Sequence, residues 1–106
     1  MPGRKRPVRR PPAPGLSDRW HEIDLHRMIV DDALMRLAEE MNTALRFRER
    51  FLRINHGKGT GALRSAVRDM LAHHPLVRRH FPAPQDAGGD GVTVVELYSI
   101  DPYGKR

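Results

Sequence analysis

The sequence predicts an α/β fold in which strands and helices follow one another in the order βαβαββ. Short apolar segments bounded by turn residues are typical of strands, and the chain contains four of them. Two longer segments repeat apolar residues every three or four positions, which is the period of an amphipathic helix. The short connections favour right-handed crossovers within one sheet. We therefore expect a two-layer sandwich with a four-stranded mixed sheet and two helices.

The first strand and the first helix follow from a change of period. "WHEIDLH" (Trp20–His26) alternates between polar and apolar residues and predicts a short strand. A helix is expected from Ile29 onwards, with Asp31 and Asp32 in its first turn, where carboxylates favour the helix dipole. Its apolar stripe consists of Val30, Ala33, Leu34, Leu37, Met41, Ala44 and Leu45.

The second strand and the second helix flank a glycine-rich segment. "RFRERFLRIN" predicts a strand centred on residues 51–54. The helix after the glycines is expected to end at His73 or His74, because Pro75 disfavours the helical state in the residue before it. The apolar stripe of this helix consists of Leu63, Ala66, Val67, Met70 and Leu71.

The last two strands are predicted to form a hairpin. "LVRRHF" and "VTVVELY" (Val92–Tyr98) have strand character, and the loop "PAPQDAGGDG" joins them. The first two or three strands would then be parallel and the last pair antiparallel. Thr93 and Glu96 are polar positions on the last strand and predict that one face of the sheet is exposed to water.

Composition limits the possible functions. A chain of 106 residues holds one small domain, and the lack of cysteine excludes disulfides and thiolate chemistry, which suits a reducing compartment. No apolar run approaches the roughly 18 residues of a membrane-spanning helix. The N-terminal stretch "MPGRKRPVRRPPAPG" lacks the apolar core of a signal peptide. We expect a soluble, cytoplasmic protein with no membrane contact.

The net charge of +6 is concentrated at the N-terminus. Residues 1–15 contain five basic residues, five prolines and no acid, whereas fourteen basic and thirteen acidic residues follow. We therefore divide the chain into a disordered basic arm (1–19), a domain (20–99) and a polar C-terminal tail (100–106). The arm would neutralise nucleic-acid phosphates, and a solubilising extension without a partner is the alternative. Its basic residues are Arg4, Lys5, Arg6, Arg9 and Arg10.

The glycine-rich segment "HGKGTG" (residues 56–61) lies where the second strand ends and the second helix begins. Ligands of open α/β folds bind at this edge of the sheet. Glycines permit positive φ and close approach of a backbone, helix N-terminal amides favour anions, and Lys58 adds a positive charge. The segment is either a phosphate-binding turn or a turn with a structural role alone.

Two histidines and one carboxylate are the candidates for acid–base chemistry. Asp24 and His26 lie two residues apart and would share one face of the first strand. If the first two strands are neighbours, His26 and His56 lie at the same edge of the sheet. Two imidazoles can hold one base and one acid near neutral pH, and Asp24 could orient His26. Alternatively, each histidine only satisfies a local hydrogen bond.

Taken in order, these motifs resemble the Smr (small MutS-related) domain family. The resemblance runs from about Ile23 to Leu97 and rests on "IDLH", "VDDALMRL", "INHGKGTGALRSAV", "HHPLVRRHF" and "GGDGVTVVEL". It implies a small α/β sandwich akin to the C-terminal domain of translation initiation factor 3, here as a stand-alone member. It also implies a role in nucleic-acid binding or cleavage, since family members have been linked to cleavage of DNA and RNA and to stalled ribosomes.

The family's DLHG motif falls on residues 24–27, and its HGxG motif falls on residues 56–59. Arg27 stands where the family usually has glycine. A glycine would permit a left-handed turn, which arginine is not expected to copy, although arginine could contact a phosphate. The residues expected at the phosphate are Arg27, Gly57, Lys58, Gly59, Thr60 and Gly61.

The leading hypothesis is an endonuclease that cleaves phosphodiester bonds of RNA or nicks DNA. RNA is favoured because its 2′-hydroxyl can be the nucleophile, so that His26 and His56 would suffice as base and acid. Cleavage of DNA would call for Mg²⁺ or Mn²⁺, for which Asp24 and His26 are the candidate ligands. Because two ligands are too few for a tight site, the ion would be shared with substrate phosphate. The rival hypotheses are a non-catalytic module that binds RNA, DNA or the ribosome, and a protein-interaction domain.

Overall fold

A computed structural model describes residues 20–98 of the protein. The predicted arm and C-terminal tail therefore lie outside the described residues, and their division from the domain stays a prediction. The order βαβαββ is confirmed. The elements are β1 (His21–Asp24), α1 (Val30–Arg46), β2 (Phe51–Asn55), α2 (Ala62–Ala72), β3 (Val77–Pro82) and β4 (Val92–Leu97). Two short 3-10 turns, Gln85–Ala87 and Gly89–Gly91, connect β3 to β4.

The two helices begin and end where local chemistry dictates. Helix α1 has Asp31 and Asp32 in its first turn, as predicted. It ends in a Schellman motif, in which the amide of Arg48 donates to the Leu45 carbonyl and that of Glu49 to the Ala44 carbonyl. Helix α2 stops at Ala72, so the predicted end before the proline is confirmed.

The sheet has the strand order β1-β2-β4-β3. Strands β1 and β2 pair in parallel, with Asp24 opposite Asn55, and β4 pairs antiparallel with both β2 and β3. The mixed sheet and the final hairpin are confirmed. Strand β3 runs in the same direction as β2 but does not pair with it, because β4 lies between them.

The main core lies between the sheet and the two helices. Its buried side chains come from both helices and from one face of three strands: Ile23, Leu25, Ala33, Leu37, Met41, Ala44, Leu52, Ile54, Val67, Leu71, Val95 and Leu97. A second, smaller cluster covers the opposite face of β4 and contains Ala83, Val92 and Val94, with Trp20 and Phe81 packed against it. Because β4 is central and covered on both faces, all six of its residues are buried.

The predicted exposed face of β4 is therefore wrong at the two residues that suggested it. Thr93 shares the helix-covered face with Val95, whereas Glu96 shares the opposite face with Val94. Both polar side chains are buried because they have partners. The carboxylate of Glu96 accepts hydrogen bonds from Arg50 (2.8 Å) and Arg79 (2.6 Å). Thr93 contacts His56.

Candidate nucleic-acid interface

A cleft of about 220 Å³ opens between the turn after β1 and the start of α2. All six residues predicted to bind phosphate line it, together with His56. The other lining residues are Met28, Val30, Ala62, Leu63 and Arg64. The cleft therefore has a wall of glycine backbone and cationic side chains, and a second wall of apolar side chains.

The glycine turn in the cationic wall depends on left-handed backbone conformations, which glycine favours. Gly57 (φ +74°) and Gly61 (φ +90°) are both left-handed, and Gly61 is the N-cap of α2. A Cβ on Gly57 would lie 3.3 Å from the Cβ of His26, so the glycine allows the two strand ends to approach. A Cβ on Gly61 would lie 3.1 Å from the guanidinium of Arg64, which folds over the turn.

Several backbone amides at this turn have no acceptor within residues 20–98. The amide of Gly61 donates to the Lys58 carbonyl (3.1 Å), and that of Ala62 donates to Thr60 Oγ1 (3.2 Å). No described residue accepts a hydrogen bond from the amides of residues 58–60 and 63–64. Successive free amides at a left-handed turn and a helix N-terminus form a concave site for an anion.

The pair formed by Asp24 and His26 borders the cleft at Gly57. The distance from Asp24 Oδ1 to His26 Nδ1 is 2.5 Å, and the same oxygen accepts a hydrogen bond from the His26 amide (3.2 Å). Both side chains are exposed, at 62% and 46%. The hydrogen bond from His26 lowers the pKa of Asp24, which keeps the carboxylate ionised.

The cause of this contact differs from the one the sequence predicted. Strand β1 ends at Asp24, and His26 lies in the following turn rather than on the strand. The two side chains meet because Asp24 caps the turn with its carboxylate, not because they share a strand face.

His56 occupies a different environment from His26. Its residue is 4% exposed, and both ring nitrogens have partners: Nε2 lies 2.8 Å from Thr93 Oγ1, and Nδ1 lies 3.0 Å from the Gly57 carbonyl oxygen. Burial lowers the pKa of His56, and the charges of Arg68 and Arg64 add to this effect, whereas the hydrogen bond to the Gly57 carbonyl opposes it. The imidazole is therefore neutral at pH 7 and lies inside the fold, whereas His26 faces solvent.

Comparison with known proteins identifies the family of this chain. The family model of the Smr domain matches residues 23–98, which include both strand ends, the glycine turn and the whole of β4. This chain belongs to the Smr domain family. The crystal structure of the Smr domain of Thermus thermophilus MutS2 is 41% identical, covers 74% of this chain and 98% of that domain, and superposes with a TM-score of 0.72.

Other relatives carry the Smr domain either as part of a longer protein or as a stand-alone protein. Endonuclease MutS2 of Thermus thermophilus is 42% identical over 76 residues, and that of Synechocystis is 47% identical over 68 residues. The matched parts cover 10% and 8% of those proteins, so the chain spans about a tenth of their length. YdaL, a stand-alone small MutS-related protein from Escherichia coli, is 26% identical, with a TM-score of 0.71; the match covers 76% of this chain and 69% of that one.

The side chains of Asp24 and His26 alone do not make a tight divalent-metal site in the described part of this Smr domain. Within residues 20–98, no three His, Asp or Glu side chains converge in a way that could hold an ion. The candidate pair has only two ligands, and Asp24 Oδ1 is already bonded to His26 Nδ1, so binding an ion would compete with that contact.

No described helix is long and apolar enough to cross a bilayer.

Arg27 adopts the backbone shape that the sequence did not lead us to expect of arginine. Its φ is +68°, so it makes the left-handed turn that the family's glycine would make. The expectation that arginine could not copy this turn is wrong, because the hydrogen bonds around Leu25 hold the chain there. The amide of Leu25 donates to the Asn55 carbonyl (2.7 Å), and the Leu25 carbonyl accepts from Met28 (3.1 Å). The side chain of Arg27 lines the cleft, where it was expected to contact a phosphate.

Three residues that build the site were not among the predicted site residues: Arg64, Gly91 and Thr93. Arg64 could have been found, since it lies in the first turn of α2, directly after the glycines. Thr93 stood out only as a polar position on the last strand and Gly91 only as part of the motif "GGDGVTVVEL", because their contacts with the site cross more than thirty residues of sequence. The carbonyl of Gly91 accepts from the amides of both His56 and Gly57 (3.0 Å each) and so fixes the glycine turn to the start of β4.

Proposed function

We propose that this Smr domain binds a polynucleotide phosphate in the cleft and cleaves the phosphodiester bond, with RNA as the favoured substrate. The observation that carries the proposal is the exposed Asp24–His26 pair, which lies directly beside a cleft of free amides and cationic side chains. The MutS2 relatives, which are named endonucleases, support cleavage as the activity. Binding of the ribosome and location in the cytoplasm stay predictions.

The acid–base role falls to His26. Its Nδ1 is engaged by the Asp24 carboxylate, which leaves Nε2 as the nitrogen that can take a proton from a 2′-hydroxyl. Asp24 orients the ring and stabilises the imidazolium that forms. Attack of the 2′-oxygen on the phosphorus would release the 5′-oxygen, which takes its proton from water or from the imidazolium. The products are a 2′,3′-cyclic phosphate and a 5′-hydroxyl end.

The cleft supplies the electrostatic part of the reaction. Arg27, Lys58 and Arg64 place three positive charges around the glycine turn, and the free amides of residues 63–64 lie at the positive end of the α2 dipole. Such donors stabilise the charge that develops on the phosphoryl oxygens. The proposal differs from the two-histidine hypothesis in one respect, because the buried His56 is not required to exchange a proton with substrate.

The experiment that tests the proposal is cleavage of end-labelled single-stranded RNA and of supercoiled DNA. Each substrate is incubated in EDTA and in Mg²⁺ or Mn²⁺. We expect RNA cleavage in EDTA that yields cyclic phosphate ends, and we expect His26→Gln to lower its rate by about 10²–10⁴-fold, the usual contribution of a general acid–base.

His73→Gln is the matched control. His73 is also an exposed histidine beside an aspartate, with Nδ1 3.7 Å from Asp69 Oδ1, but it caps the opposite end of α2 from the cleft. The His73→Gln variant should cleave RNA at the same rate as the unchanged protein. Metal-dependent nicking of DNA alone would contradict the RNA mechanism. Salt-sensitive binding by all variants without cleavage would identify the domain as a non-catalytic nucleic-acid-binding module.

A further inference from the structure

His56 is a buried histidine whose two ring nitrogens connect β4 to the glycine turn. The carbonyl of Gly57 can only accept a hydrogen bond, so the Nδ1 atom at 3.0 Å must carry the proton. The neutral ring then presents an unprotonated Nε2, and the Thr93 hydroxyl at 2.8 Å donates to it. Thr93 is fully buried, so its hydroxyl is shielded from bulk solvent.

The direction of the Gly57 carbonyl has a consequence for the cleft. The described chain contains no cis peptide bonds, and in a trans peptide the C=O and the following N–H point in opposite directions. Because the Gly57 carbonyl points at the buried His56 ring, the amide of Lys58 points away from the core. No described residue accepts a hydrogen bond from that amide, and Lys58 lines the cleft.

We infer that Thr93 and His56 are positioning residues, which through the Gly57 carbonyl aim the Lys58 amide at a phosphate oxygen of a bound polynucleotide. This inference rests on the proposed function for the identity of the ligand. The chain of contacts is Thr93 Oγ1 to His56 Nε2, His56 Nδ1 to the Gly57 carbonyl, and the Gly57–Lys58 peptide to the anion. Neither side chain touches the reacting atoms.

The hydrogen bonds around Gly57 differ between the peptide before it and the peptide after it. Gly57 has a positive φ, and its own amide is shared between the Gly91 carbonyl (3.0 Å) and Asn55 Oδ1 (3.0 Å). These bonds fix the peptide before Gly57. The peptide after it has one described partner, the His56 ring, so loss of that hydrogen bond frees the Lys58 amide to rotate.

Three substitutions test the inference. Thr93→Val keeps the shape and removes the hydroxyl, Thr93→Ser keeps the hydroxyl, and Val95→Ala weakens the same face of β4 without touching His56. With a labelled single-stranded RNA as probe, Thr93→Val should lower kcat/KM about tenfold, mainly through KM, since an amide bond to a charged phosphate is lost. The kcat/KM of Thr93→Ser should stay within about twofold of that of the unchanged protein. The kcat/KM of Val95→Ala should do the same, although this variant should have a lower melting temperature.

Nitrogen NMR provides a readout that does not depend on cleavage. In the unchanged protein at pH 7, the ¹⁵N signals of His56 should report a proton on Nδ1, and titration with inorganic phosphate should shift the Lys58 amide. In Thr93→Val the response of the Lys58 amide to phosphate should shrink. A proton on Nε2 would overturn the inference, and so would equal losses of affinity in Thr93→Val and Val95→Ala.

His56→Asn separates positioning from proton transfer. The Asn side-chain amide can donate from near the position of Nδ1 but cannot exchange a proton at neutral pH. Retention of cleavage within about tenfold is the result expected of a positioning residue, whereas loss of cleavage with unchanged phosphate binding would make His56 the proton carrier and overturn the inference. If the unchanged protein cleaves nothing, the proposed function fails, yet the tautomer and the Lys58 titration still decide whether the contact chain exists.

Discussion

Arg27 and Arg48 are the two non-glycine residues with positive φ in the part of the chain that the structure describes, at +68° and +61°. A left-handed conformation costs a non-glycine residue about 1–2 kcal/mol, part of which glycine's larger entropy loss offsets. We therefore expect Arg27→Gly and Arg48→Gly each to raise the free energy of unfolding by about 0.5–1 kcal/mol. Urea denaturation of the two variants would measure it.

The same two variants separate strain from phosphate binding. Arg27 lines the cleft, whereas Arg48 belongs to the C-terminal cap of α1. Arg27→Gly should weaken RNA binding by about 10–100-fold, the contribution of one charge-assisted contact, while Arg48→Gly should leave it unchanged. Equal affinities in a filter-binding titration would show that Arg27 serves the turn alone.

His21 is held between two carboxylates on the helix side of the sheet. Its Nε2 lies 2.6 Å from Glu40 and its Nδ1 lies 2.6 Å from Glu49. Burial alone would lower the pKa of His21, but the hydrogen bonds to Glu40 and Glu49 and their charges outweigh it and raise the pKa above 6.5. Both nitrogens donate only when the ring is protonated.

The pH dependence of stability follows from that direction. Folding raises the pKa of His21, so this histidine stabilises the folded state fully at pH values below the pKa it has in the unfolded chain. That stabilisation is lost as the pH rises through the pKa it has in the folded protein. The other two shifted histidines act in the opposite direction: burial lowers the pKa values of His56 and His80, so they oppose folding as pH falls below 6.5. We expect the stability difference between the unchanged protein and His21→Gln to be on the order of 1–2 kcal/mol below about pH 6 and to shrink above it. Denaturation at several pH values measures this difference in stability. A difference that does not change with pH would contradict the expectation.

At the scale of elements, the glycine turn joins the ends of β1, β2 and β4 to α2. Gly57 and Gly59 both have positive φ, but a Cβ on Gly57 would meet His26 whereas a Cβ on Gly59 would meet nothing within 4 Å. Gly57→Ala should therefore lower the free energy of unfolding by about 1–3 kcal/mol and slow RNA cleavage, because it displaces His26. Gly59→Ala should cost about 1 kcal/mol and leave His26 in place.

Melting temperatures and cleavage rates of these two alanine variants provide the measurement. The informative quantity is the ratio of their cleavage rates once both are compared at a temperature where each is folded. If the two rates fall equally, the close approach of Gly57 to His26 has no bearing on the reaction.

At the scale of the whole molecule, the charge distribution predicts two separate contacts with nucleic acid. Within the described residues, the cleft presents Arg27, Lys58 and Arg64. Outside them, the sequence of residues 1–19 carries a further cluster of basic side chains. Deletion of residues 1–15, which hold five basic residues, should reduce the slope of log affinity against log salt by up to about 3.5 on single strands. An unchanged slope would assign the arm no part in binding.

Much of the fold could be predicted because its signals are local. The period of the apolar residues determined α1 and α2, Pro75 determined the end of α2, and the short apolar runs determined the four strands. The glycine turn could be assigned to the cleft for the same reason, since strand, glycines and helix are contiguous in sequence. The motif residues that line the cleft could therefore be named from the sequence, and their role in binding phosphate stays a prediction.

The sequence by itself determined the order of elements and the family, because periodicity and motif spacing are properties of neighbouring residues. Only the tertiary structure decided that β4 lies between β2 and β3, which buries Thr93 and Glu96 on opposite faces. It also decided that His26 faces solvent with Asp24 while His56 turns inward to a hydroxyl 37 residues away. Such choices depend on which distant groups can satisfy a buried polar atom, and no local pattern encodes that partner.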